Sequence, residues 1–186
     1  FAARERFGTP IVMGKVLTEY ESPPPSWVVE CGAFQRHLYN DGDELDFAIT
    51  ANVMVDSDII TSRPFAEELR FSGGSDLQLF RELNQAGHRI RYAAQAVTYE
   101  LMPSSRLSVE WATKRQYRRG LNRSATLRRL GGSPQQYIKR LGASAVAVTR
   151  GAAKWAAGTV GRNSARRLKG RLDIAYGVGL AAGLFG

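Results

Sequence analysis

Apolar and polar positions alternate along the first hundred residues as short strands and one helix would have them, and from Leu107 onward they repeat at about 3.6 residues. PIVMGKVL at 10–17 reads as a buried strand opened by Pro10, and FAITANVMV at 47–55 as a second strand. DSDII then starts a short helix with Asp56 or Ser57 as its cap. In FSGGSDLQLFRELNQAGHRIRY (71–92), Leu77, Phe80 and Leu83, with Leu79 and Ala86 one step off, form an apolar face at helical spacing. Ser75 and Gln78 stand in capping-box relation, so Ser75 is the expected N-cap and Asp76 the first helical residue. Gly87 supplies the left-handed stop. RIRYAAQAVTYE follows as two short strands bent at Ala93–Ala94.

The second part of the chain is helical in period. SVEWATKRQYRRGLNRSATLRRL predicts a basic helix with a potential break at Gly120, and Gly131, Gly132 and Pro134 divide it from a helix over 135–157. On that helix Lys139, Arg140, Arg150 and Lys154 fall on one side and Leu141, Ala145, Val148, Ala152 and Trp155 on the other. This is the composition of a segment lying in a bilayer interface. The last 13 residues, after Asp173, carry no charge. That is short of the roughly 20 apolar residues a spanning helix needs, so the tail either dips into a membrane or packs on the preceding helix. The run ESPPPSW enforces an extended connection, and Trp27 behind it is expected to fill a core gap.

Charge sharpens the division. Residues 1–102 hold 9 Lys+Arg against 15 Asp+Glu, a balance of −6, whereas residues 103–186 hold 17 against 2, a balance of +15. The basic part is suited to phosphate, on nucleic acid, an anionic bilayer or a phosphorylated ligand. The single cysteine, Cys31, allows no internal disulfide, and with two histidines a zinc site is not expected. The first residue is Phe1, and Arg4, Glu5 and Arg6 interrupt any signal-like apolar run, so a piece of a longer chain is the expectation. The Asp-x-Asp of Asp41 and Asp43 reads as a solvated acidic loop.

The chemistry visible in the residues alone centres on Asp76. A carboxylate in the first turn of a helix is stabilised by the macrodipole by about 0.3–1 kcal/mol, which is a sufficient structural reason for it. The preceding Gly73 and Gly74 also permit close approach of a ligand to the backbone, as in the wall of a pocket.

Four segments in order carry a resemblance: GKVLTEYESPPPSW, TANVMVDSDII, FSGGSDLQLFRELNQAGHRIRYAAQAVTYE, and a helix containing KRQYRRG. From about Val12 to Asn122 the chain resembles the C-terminal half of the family 2 glycosyltransferases, inverting enzymes of the GT-A fold, and within them the bacterial exopolysaccharide transferases of the succinoglycan type. The resemblance implies an α/β fold: an acceptor-side part of a GT-A-like domain at 1–105, a basic helical segment at 106–133, and amphipathic and apolar membrane-associated helices at 134–186. It implies that Asp76 is the general base and that Asn52, Gly73, Gly74 and Ser75 line the acceptor side. Ser75 stands where the family has glutamate, and Thr50 where it has glycine. Gln116 and Arg119 match the Gln-x-x-Arg part of the Gln-x-x-Arg-Trp signature of processive polysaccharide synthases, whose tryptophan is replaced by Gly120. That loss points to transfer of single sugars. With Gln116 beside them, Arg118 and Arg119 either meet a diphosphate, of the leaving nucleotide or of a lipid-linked acceptor, or belong to a solvated basic helix face. Glu100 is either a ligand for Mg²⁺ or Mn²⁺ or a strand-end acid. The nucleotide-binding half, with most of the metal ligands, is expected before Phe1, so residues 1–186 alone should turn over little or nothing.

The implied partners are a nucleotide-sugar donor, a saccharide or lipid-linked acceptor and an anionic membrane surface, at the cytoplasmic face of the inner membrane, peripheral or monotopic. A non-catalytic membrane-surface adaptor is the alternative. Nucleic-acid binding is the weaker one: the cations are interleaved with Ala, Gly and Val, and no RNP-like or zinc-finger pattern is present.

Overall fold

The strand beginning at Ile11 runs further than its apolar core suggests. In the computed structural model, which describes residues 1–62, 65, 69 and 73–186, β1 extends over Ile11–Tyr20. The elements before and after it are α1 (Ala2–Phe7), α2 (Ser26–Cys31), β2 (Glu44–Leu45), β3 (Val53–Val55), α3 (Ser57–Ser62), α4 (Ser75–Gln85), β4 (Ile90–Met102), α5 (Val109–Arg129), α6 (Pro134–Val160) and α7 (Ser164–Phe185). The protein is thus mixed α/β. Its four-stranded sheet has the order β2-β4-β1-β3 among the described residues. β3 pairs antiparallel with β1, Ile11 opposite Val55, and β2 pairs antiparallel with β4, Leu45 opposite Ile90.

The chain divides into two units, Phe1–Glu19 with Arg36–Glu100 and Tyr20–Gln35 with Leu101–Gly186. Segments 106–133 and 134–186 therefore fall in one unit, joined by residues 20–35. In the first unit Ile11 and Met13 of β1, Ile90 and Tyr92 of β4, and Leu79, Phe80 and Leu83 of α4 make the core. At about 1.5–3 kcal/mol per fully buried large apolar side chain, this layer of helix on sheet fixes where α4 begins.

Several local expectations need correction. Residues 47–52 are not strand: Thr50–Asn52 is a 3₁₀ turn, and only Val53–Val55 pairs. Residues 90–102 form one strand with no break at Ala93–Ala94. The N-cap of α4 is Gly74, at φ 91°, so Ser75 is already helical and its expected capping box with Gln78 does not form; Gln78 Nε2 donates to Glu82 Oε1 at 2.9 Å. Asp76 is consequently the second helical residue. The left-handed stop does occur at Gly87, where its N–H reaches Asn84 O and that of His88 reaches Leu83 O, both at 3.0 Å.

In the second unit α5 is unbroken at Gly120. α6 starts with a complete capping box, Ser133 with Gln136. Trp27 and Trp111 pack about Phe34, with ring centroids 6.2 and 5.6 Å away, at a core that includes Val28, Ala112 and Leu172. The uncharged tail does not stand apart. It is the C-terminal part of α7, and its glycines seat α7 against both neighbours. A Cβ on Gly177 would lie 2.9 Å from Ser144 O of α6, and one on Gly183 2.9 Å from Ser124 Cβ of α5. Such small-residue contacts let helix backbones approach closely. No helix among the described residues is long and apolar enough to cross a membrane.

Candidate functional site

Asp76 is held at the start of α4 by the turn before it. Gly73 and Gly74 both take positive φ, 76° and 91°, a conformation that side-chain-bearing residues resist. Phe71 and Ser72 of the same stretch lie outside the described residues. The Asp76 carboxylate is half-buried, and its Oδ1 accepts the Leu77 N–H at 2.8 Å. Its Oδ2 has no cation or donor among the described residues. One oxygen is thereby anchored to the start of the helix, and the other is left without a partner among the described residues.

Asn52 does something the sequence does not announce. Its Nδ2 donates to Lys15 O at 2.9 Å and Ala96 O at 2.8 Å, tying β1 to β4. Both amide hydrogens are spent on backbone, leaving only the amide oxygen for a ligand. Gly14 makes room for it: a Cβ there would meet the Asn52 amide and come within 2.5 Å of Ala96 O. Ser75 makes no side-chain capping bond. Glu100, the candidate metal ligand, faces a cation: Arg36 Nη2 and Nε both reach its Oε2, at 2.6 and 3.0 Å. No three His, Cys, Asp or Glu side chains gather as a metal site among the described residues. The described side chains therefore do not fit a divalent ion by themselves. Asp41 and Asp43 brace their own loop, accepting from Ala94 N and Asn40 N, and Asp41 also pairs with Arg6.

Gln116, Arg118 and Arg119 lie in the second unit, where the turn of α5 separates them. Gln116 and Arg119 line a pocket of about 490 Å³ with Cys31, Lys154, Lys169 and Asp173, whereas Arg118 is exposed and outside it. Three cations and one acid thus face this pocket. Asp173 is shared by Lys154 at 2.8 Å and Arg150 at 3.4 Å. Arg119 and Lys169 have no acidic partner among the described residues, so the pocket keeps an unbalanced positive charge. Burial pushes the Cys31 thiol up, with Lys169 opposing in part, which keeps the thiol protonated at neutral pH. Lys169 is not singled out by the sequence, and Lys154 is marked there only as part of the basic side of its helix. Their membership depends on α6 and α7 folding back onto α5, for which a cation in a basic helix gives no signal.

Gly120 ends the Gln-x-x-Arg stretch for a structural reason. A Cβ there would lie 2.8 Å from Leu180 N and 3.0 Å from Gly179 C, so the position is filled by the backbone of α7. A tryptophan has no space in this packing.

The chain is 31% identical over 117 residues to the succinoglycan biosynthesis protein ExoM of Rhizobium meliloti (strain 1021). The match covers 61% of this chain and 37% of that relative, so the chain spans well under half of its length. No protein-family model matches the chain, and no solved structure matches it. A distant relationship to a protein of succinoglycan biosynthesis is what these comparisons establish.

Proposed function

We propose that these residues are the acceptor-side part of an inverting glycosyltransferase of family 2 type, with a GT-A-like fold, working in cell-surface polysaccharide synthesis. The observation that carries the reading is Asp76: one carboxylate oxygen anchored by a first-turn amide, the other unpartnered among the described residues, behind two glycines of positive φ. In this reading Asp76 Oδ2 takes the proton of an acceptor hydroxyl as that oxygen bonds to the anomeric carbon. The bond from that carbon to the nucleotide diphosphate breaks, and the diphosphate leaves with the electron pair. The pocket bounded by Gln116, Arg119, Lys154 and Lys169 takes a diphosphate, of the leaving nucleotide or of a lipid-linked acceptor.

The relationship to a succinoglycan biosynthesis protein supports a saccharide acceptor and a nucleotide-sugar donor. The Arg36–Glu100 pair argues against Glu100 as a metal ligand, and in this reading Mg²⁺ or Mn²⁺ is held mostly by ligands outside residues 1–186. A lipid-linked acceptor places the protein at the cytoplasmic face of the inner membrane, peripheral or monotopic.

The test is transfer itself. The full-length gene product is incubated with a panel of nucleotide-diphosphate sugars and lipid-linked oligosaccharides, and products are read by mass. An acceptor heavier by one sugar, with inverted anomeric configuration, supports the proposal. Absence of transfer across the panel, in protein that binds the same donors, favours the non-catalytic adaptor.

A further inference from the structure

α6 is a 27-residue helix packed on one side only. Its buried positions, Ser144, Ala147, Gly151 and Gly158, form a narrow stripe facing α7. On the opposite side eleven residues between Ile138 and Val160 are all exposed and uncharged: one Ile, one Leu, two Val, four Ala, two Thr and one Gly. At 100° per residue they fill an arc of about 140°, and at 1.5 Å per residue they run for about 33 Å. A water-facing surface of that size normally carries several charges, and every charge of α6 lies outside the arc.

The borders of this face are unequal. Trp155, about half exposed, stands beyond one edge; Lys139 and Arg150 stand just beyond the other. The two threonines in the face turn their hydroxyls back into the helix. Thr149 Oγ1 donates to Ala145 O at 2.9 Å and Thr159 Oγ1 to Trp155 O at 2.8 Å. No polar hydrogen on the face is left needing water, which is the condition for entering an apolar medium. The surrounding sequence is cationic, with 17 Lys+Arg against 2 Asp+Glu in residues 103–186.

We infer that the outer face of α6 is a docking surface for an anionic lipid bilayer, with the helix lying in the interface plane. Ile138, Leu141, Val146 and Val160 enter the acyl boundary, Trp155 sits at the headgroup level, and Lys139 and Arg150 meet lipid phosphates. α7 does not insert, since its glycine-rich face is used inside the protein. The docking deepens the peripheral membrane placement proposed above by naming the surface that makes it, and it does not need the transfer step, so vesicle binding and sugar transfer can fail independently.

Flotation of the 186-residue chain with vesicles tests it, using phosphatidylcholine alone and phosphatidylcholine with about one third phosphatidylglycerol. The expected result is flotation with the anionic vesicles, weakened roughly tenfold or more by Val146→Glu and by Ala153→Glu. Both side chains point away from the rest of the protein, and circular dichroism confirms that folding is kept. Lys139→Glu weakens flotation in low salt, and Trp155→Phe abolishes the fluorescence change on binding. Flotation that neither glutamate variant reduces overturns the inference. So does a chain that ignores vesicles and sediments as a dimer which Val146→Glu makes monomeric, since a second copy would then own the face.

Discussion

Gly120→Ala is a substitution whose sign depends entirely on the packing of α5 against α7. In an exposed helix, alanine for glycine stabilises by about 1 kcal/mol. At position 120 the added Cβ lies 2.8 Å from Leu180 N and 3.0 Å from Gly179 C, and nearer still to Tyr176 O. These are backbone atoms, which cannot swing aside. Restoring ordinary contact at about 3.5 Å moves α7 back by roughly half an ångström or more, and a gap of that size forfeits about a quarter to a half of the dispersion energy along the interface. Overpacking of this kind costs about 1–3 kcal/mol, so the net expectation is destabilisation of about 1 kcal/mol. Gly142 is the control. It lies on the same type of helix with nothing within 4 Å of an added Cβ, so Gly142→Ala should stabilise by about 1 kcal/mol. Urea unfolding followed by far-UV circular dichroism reads both, with unchanged slope as the check on two-state behaviour. If Gly120→Ala proves as stable as Gly142→Ala, the close α5–α7 contact is wrong, and the explanation for the absent tryptophan falls with it.

Asn52→Ala leaves Lys15 O and Ala96 O without their donor, and urea unfolding should show a loss of about 2 kcal/mol or more. Asn52→Asp should be at least as damaging, because it sets a carboxylate against two carbonyls. Arg4→Ala removes the hydrogen bonds and charge that hold Asp56 below the usual carboxylate range. A depressed carboxyl stabilises above its ordinary pKa and loses that contribution as pH falls through its folded-state value. Arg4→Ala should therefore lower thermal stability at neutral pH and converge with the wild type at strongly acid pH, as scanning calorimetry across that range would show. Arg119→Ala should weaken binding of inorganic diphosphate by roughly tenfold in calorimetric titration, whereas Arg118→Ala, outside the pocket, should change it little.

Much of this architecture can be read from the chain, because periodicity and caps are local. The helical spacing of Leu77, Phe80 and Leu83 marks α4, although Leu79 is buried with Phe80 and Leu83 and Leu77 is only half-buried; Gly87 ends the helix, and the charge-free side of α6 follows from counting at helical period. What is hidden depends on distant partners. Glu100 meets Arg36 across 64 residues, and no spacing rule pairs them. Asn52 looks like a ligand-facing amide until β1 and β4 present it with two carbonyls. Lys154 and Lys169 are two cations among many until α6 and α7 fold back beside Arg119. The capping box at Ser75 fails for a nearer reason: Gly74 adopts the left-handed conformation and takes the cap position itself, moving the helix start by one residue. Asp76 keeps its place in the first turn under either reading.

Asp76→Asn is the substitution on which the account turns. It keeps shape, the first-turn hydrogen bond and the helix, and removes the ability to take a proton. Measured in the full-length gene product with a nucleotide-sugar donor and a lipid-linked acceptor, it should lower kcat by about 10²–10⁴-fold with KM for the acceptor little changed. Transfer that continues at the wild-type rate in Asp76→Asn would contradict the assignment of Asp76 as the base.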